Sequence, residues 1–146
     1  MKKQSARRRF SWTEAWVFAS LGGGTESDKG VTLECVISNG DVLNRAIFTA
    51  EEIQDGLRQL YRSGLVMTAR NRIFITDHGK SVYENAMTRR GGLFSIVDNT
   101  QKALNTPRIK HPELDGEIDL EFVSGDSIDA AYALHRKKFK EAVPSP

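Results

Sequence analysis

Residues 49 to 76, TAEEIQDGLRQLYRSGLVMTARNRIFIT, read in order as a capped helix, a glycine stop and a short hairpin. Thr49 with Glu52 has the spacing of a capping box, in which hydroxyl and carboxylate each satisfy a backbone N–H orphaned at a helix start. Ile53, Leu57, Leu60 and Tyr61 fall at i, i+4, i+7 and i+8 and so share one face, and Gly64 supplies the left-handed residue that ends many helices. Beyond it, Leu65 to Thr68 and Ile73 to Thr76 place apolar and β-branched residues around a polar tip, Ala69-Arg70-Asn71-Arg72, the pattern of a hairpin. Thr76 is then placed to cap a further helix carrying Val82, Tyr83, Ala86 and Met87, with Gly79 in its first turn.

Two pieces of this stretch, Leu60-x-x-x-Gly64-Leu65-Val66 and Ile75-Thr76-Asp77-His78-Gly79-Lys80, resemble the winged helix-turn-helix superfamily of bacterial transcriptional regulators. In that superfamily the glycine-leucine pair closes the recognition helix, the hairpin forms the wing, and threonine followed by glycine three residues later opens the next helix. The resemblance covers residues 10 to 87 at most. It implies a DNA-binding regulator that acts as a dimer on double-stranded DNA.

Upstream, Ser11 and Glu14 form a second capping box ahead of Trp12, Ala15, Trp16 and Ala19, which predicts a first amphipathic helix ended by Gly22-Gly23-Gly24. A polar connection, TESDKG, leads to Thr32 and a second helical face, Leu33, Val36 and Ile37. Asn39-Gly40-Asp41 is expected to break that helix. Val42, Leu43, Ala46, Ile47 and Phe48 would then form an apolar connection packing under the third helix. Cys35 is the only cysteine, which excludes an internal disulfide and a cysteine metal cluster, and its place on the second helix suggests a small buried residue.

Gly91-Gly92 marks an expected boundary. Residues 93 to 105 fit a helix with Leu93, Ile96, Val97, Thr100 and Leu104 on one side, but Leu93 to Val97 also fit a strand capped by Asp98. Residues 108 to 116 read as a loop. Glu117 to Val123, EIDLEFV, alternates strictly and is expected to be a strand. A last helix is expected with Asp126 as its N-cap and Asp129 three residues on, and with Ile128, Ala131, Tyr132, His135 and Phe139 as its apolar stripe. The fold class is therefore α+β, mostly α: a winged-helix domain of three helices, a β-hairpin wing and a fourth helix over residues 10–90. A basic disordered arm, 1–9, precedes it, and a helix/strand/helix extension, 91–146, follows as a dimerisation or interaction element.

Charge is distributed unevenly. The net charge of +2 includes Lys2, Lys3, Arg7, Arg8 and Arg9 in the first nine residues, which leaves the remainder at −3. Such an arm neutralises phosphates or is simply a solvated tail. Between Glu113 and Asp129 there are seven acids and no base, followed by Arg136, Lys137, Lys138 and Lys140. This polarity suggests self-association of basic ends with acidic strands, as well as helix-dipole complementarity. The DNA-contact candidates are Arg58, Gln59 and Arg62 on the third helix, Arg70 and Arg72 at the hairpin tip, and Arg7, Arg8 and Arg9 in the arm. Glu51, Glu52 and Asp55 lie on the same helix and repel phosphates, which suggests the alternative of a winged-helix module that binds another protein without DNA.

Enzymatic chemistry is not expected. His78, His111 and His135 show no metal-ligand spacing, and Asp77, His78 and Ser81 crowd one helical turn, where they cannot act as orienter, base and nucleophile. Gly22-Gly23-Gly24-Thr25 lacks the lysine of a phosphate loop. No catalytic residue, metal or cofactor is assigned. With no apolar run of spanning length and no apolar signal core after the basic start, a cytoplasmic location without membrane contact is expected.

Overall fold

The computed structural model describes residues 9–22 and 29–142, excepting the side chains of 139–142. It is mostly helical with one small antiparallel sheet. The order is α1 (Trp12–Leu21), α2 (Leu33–Asn44), α3 (Ala50–Arg62), β1 (Val66–Ala69), β2 (Arg72–Ile75), α4 (Asp77–Met87), a single 3-10 turn (Leu93–Ser95), α5 (Ile96–Asn105) and α6 (Gly125–Ala142).

Helix α1 is central. Ser11 and Glu14 make the expected capping box, and every residue from Glu14 to Leu21 is buried, the condition of a helix enclosed on all sides. Helices α2, α3 and α5 pack around it. Gly56 lets α3 approach closely, since a Cβ there would meet the Val17 side chain.

Helix α2 does not break at Asn39-Gly40-Asp41. It runs to Asn44 and ends at Arg45, which takes a left-handed conformation (φ 54°) and donates its N–H to Asp41. Gly40 serves close approach here. The Trp16 indole donates to its carbonyl at 3.0 Å, and the Phe48 ring occupies the space a Cβ would need. Trp16 and Phe48 in turn stack with centroids 3.8 Å apart. Val42 and Leu43 are therefore helical, and only 46–48 form the apolar connection. Cys35, expected to be buried, is exposed, because the inward face of α2 is defined by Leu33, Val36, Ile37 and Gly40.

Helix α3 has its capping box, with Thr49 accepting from the Glu52 N–H and the Glu52 carboxylate accepting from the Thr49 N–H. Ile53, Gly56, Leu57 and Leu60 are its buried face, and Gly64 takes φ 75°. The hairpin pairs Val66 with Ile75 through to Ala69 with Arg72. Its two-residue tip, Arg70 and Asn71, has φ of 54° and 61°, the geometry of a type I′ turn whose twist matches the strands. Val31 adds a one-residue bridge to Ile73. Thr76 caps α4 by accepting from the Gly79 N–H.

Residues 93–105, open between helix and strand in sequence, are helical. Helix α5 packs on α1 and α4, with Val97, Ala103 and Leu104 in the same apolar cluster as α1 to α4. Residues 117–123 correct the strand expectation. Ile118, Leu120 and Phe122 do pack against the core, and the intervening acids are exposed, but no strand pairs with the segment among the described residues. Strict alternation reports burial on one side of the chain, whereas a strand also needs a ladder partner and an unbroken extended backbone. Here the chain turns at Glu121-Phe122, with the Val123 N–H donating to the Leu120 carbonyl at 2.9 Å. Helix α6 starts two residues earlier than expected, and Asp126 is not its N-cap. Ser124 caps it, accepting from the Ser127 N–H at 3.0 Å, so Asp126 sits in the first turn. Against α2, α6 sets His135 beside Asp41 at 3.1 Å and Lys138 beside Glu34 at 3.0 Å.

Candidate functional site

Helix α3 turns Ile53, Leu57 and Leu60 inward, so Glu51, Asp55, Arg58 and Arg62, at i, i+4, i+7 and i+11, form its exposed line. Gln59 is half-buried beside that line. Arg58 is already engaged, its guanidinium 2.8 Å from the Asp55 carboxylate. Exposed pairs of this kind contribute a few tenths of a kcal/mol to the helix. At the hairpin tip Arg70 and Arg72 are exposed, and Arg72 donates to the Gly30 carbonyl at 3.3 Å. Arg9 is exposed, whereas Arg7 and Arg8 lie outside the described residues.

The feature that composition alone did not locate is the path of residues 112–123. Pro112 packs on Gly64, at the end of α3. The Leu114 N–H donates to the Arg62 carbonyl at 2.7 Å, and Thr68 of β1 donates its hydroxyl to the Asp119 carbonyl at 3.0 Å. Gln54, two turns back along α3, donates to the Val123 carbonyl. The chain thus runs as a strap along the flank of α3 that faces β1, from the carboxyl end of the helix toward its amino end. Ile118, Leu120 and Phe122 turn inward, leaving Glu113, Asp115, Glu117, Asp119 and Glu121 exposed.

The strap changes the electrostatics of the surface around α3. Beside the exposed Arg58, Arg62, Arg70 and Arg72 it adds five exposed strap acids to Glu51 and Asp55 of α3. A duplex brought to the exposed line of α3 and to the hairpin tip would set its phosphates against those acids, where like charges cost affinity. The signal was present in the sequence as the alternation of EIDLEFV. What sequence could not supply was the flank on which that alternation lies.

A histidine pair anchors the start of the strap. His78 Nε2, on the first turn of α4, is 2.8 Å from His111 Nδ1, and His111 Nε2 is 2.8 Å from the Leu104 carbonyl. A carbonyl only accepts, so His111 donates from Nε2, and in the neutral ring its Nδ1 accepts from His78. Burial, with a smaller contribution from the neighbouring His111, pulls the His78 pKa below its usual 6.5. Burial alone raises the phenol of Tyr83 above 10.0. Among the described residues the imidazole pair ends on the Leu104 carbonyl, so it serves as a tether between strap and α4. Among the described residues no group of three or more histidines, cysteines, aspartates or glutamates could hold a metal ion. No helix among them is long and apolar enough to cross a membrane.

Compared with protein-family models, curated protein sequences and solved structures, the chain matches none.

Proposed function

We propose that this protein is a winged-helix interaction module that takes a basic protein segment on the surface formed by α3 and the acidic strap. Support for the winged-helix reading comes from the order of capped helices, the positive-φ Gly64, the I′ hairpin and the Thr76 cap. One observation carries the choice of partner: residues 112–123 lie against the hairpin-facing flank of α3 and present five carboxylates. Complementary charge steers encounter and rejects partners of the wrong sign, so this face favours cations over phosphates.

A second reading, a DNA-binding transcriptional regulator, is favoured by Arg70 and Arg72 at the hairpin tip, by Arg62 at the end of α3 and by Arg9. Titrating the full chain at low salt with an arginine-rich peptide and, separately, with a mixed-sequence duplex separates the two. Saturable peptide binding is expected, lost when Asp115, Glu117, Asp119 and Glu121 are changed to amides and kept when Asp77 and Glu84 are changed instead. Duplex binding by the intact chain that is abolished by Arg62→Ala with Arg70→Ala and Arg72→Ala would establish the second reading and remove the first.

A further inference from the structure

Helix α6 buries one side and leaves the other without a neighbour among the described residues. Ile128 and Ala131 are buried and Tyr132 and His135 half-buried, on the side that packs against α2. On the opposite side Asp126, Ala130, Ala133 and Lys137 follow at spacings of four, three and four residues, all exposed, which places them in one line along the helix. Leu134, beside that line, is 43% exposed. Exposed alanine alone is unremarkable, since it is the best helix former. The order of charges is informative, because the line reads the same backwards with the sign of its ends reversed: acid, alanine, alanine, base.

We propose that α6 pairs antiparallel with α6 of a second copy of this chain, about a two-fold axis passing between residues 131 and 132. That axis sets Asp126 opposite the partner's Lys137, and Ala130 opposite the partner's Ala133. The same contacts repeat on the other side of the axis, as an isologous interface requires. The two alanines let the helix axes approach toward the short end of the roughly 8–10 Å range of packed helices. Leu134, at the edge of that line, then loses part of its exposure. Helices of 18 residues, about 27 Å at 1.5 Å per residue, give a small interface, so the association is reversible and depends on concentration. It uses a helix that packs on α2 and not the exposed line of α3.

Sedimentation equilibrium of the full chain over a wide concentration range tests the pairing. Asp126→Lys places lysine against lysine at both ends and is expected to raise the dimer dissociation constant at least tenfold. Adding Lys137→Glu to it should restore the constant to within about threefold of the parent. That double variant is the less favourable arrangement for the helix dipole, with a base in the first turn and an acid further along, so recovery would reflect pairing and not helix stability. Leu134→Glu should weaken the dimer, with an unchanged far-ultraviolet circular dichroism spectrum as the control for folding. A chain that is monomeric throughout, a dimer indifferent to Asp126→Lys, or a double variant no better than the single one would each overturn the proposal.

Discussion

Gly79 shows how one residue ties the hairpin to the helix that follows it. A Cβ at this position would collide with the Leu65 carbonyl oxygen and the Ile75 side chain, while Thr76 accepts from the Gly79 N–H at 3.0 Å and donates its hydroxyl to the Gly64 carbonyl at 2.5 Å. Gly79→Ala is therefore expected to destabilise the protein by about 3 kcal/mol, the upper part of the range for overpacking, read from chemical denaturation. Sequence indicated that glycine was favoured here. That the obstacle is a backbone carbonyl, which cannot rotate away, required the structure. His78 supports a second prediction. Its folded pKa lies below the unfolded 6.5, so the unfolded chain binds more protons in between. Stability is full above about pH 6.5 and falls as pH drops toward the folded value. In His78→Gln the stability profile between pH 6.5 and 5 should be flatter than in the parent.

At the scale of elements, the caps were legible because they are local chemistry. Ser11 with Glu14, Thr32, Thr49 with Glu52, and Thr76 each start a helix, and each is recognisable from residues within one turn. Thr49→Ala should cost about 1 kcal/mol, seen as a lowered denaturation midpoint with an unchanged denaturant slope. The cap of α6 was misplaced, since Ser124 takes the role expected of Asp126; elsewhere the deciding contact was distant. Gly40 stays helical because Trp16 and Phe48 fill the space above it. Residues 117–123 alternate because one side lies on the core, and nothing within EIDLEFV states whether another strand lies alongside. The candidate arginines were legible as residues. Their net surroundings were not, since Asp115 and Asp119 lie far from α3 in sequence and beside it in space.

For the molecule as a whole, the strap and α5 bring the last third of the chain onto the first two-thirds. Asn105 brackets the Phe10 backbone, its Oδ1 accepting from the N–H at 2.8 Å and its Nδ2 donating to the carbonyl at 3.0 Å, and Trp12 donates to Asp98 at 2.9 Å. A chain ending at Arg90 would leave the α5-facing sides of α1 and α4 in water. It is expected to lose cooperative unfolding and near-ultraviolet signal from the tryptophans while keeping part of its helical far-ultraviolet spectrum. Cooperative unfolding of that shortened chain, with a denaturant slope in proportion to its length, would show that residues 10–90 suffice as a folding unit.

The bracket around Phe10 also has a consequence on the ribosome. Helix α1 is made before α5, yet one of its buried faces is completed by residues made more than eighty positions later. Domains fold as units during synthesis, so the α5-facing side of α1 must wait uncovered until α5 has emerged, even after Phe48 and Gly56 have reached Trp16 and Val17. Slowed translation before α5 has cleared the tunnel would lengthen that interval and raise the burden on chaperones, whereas pausing after α5 has emerged should not.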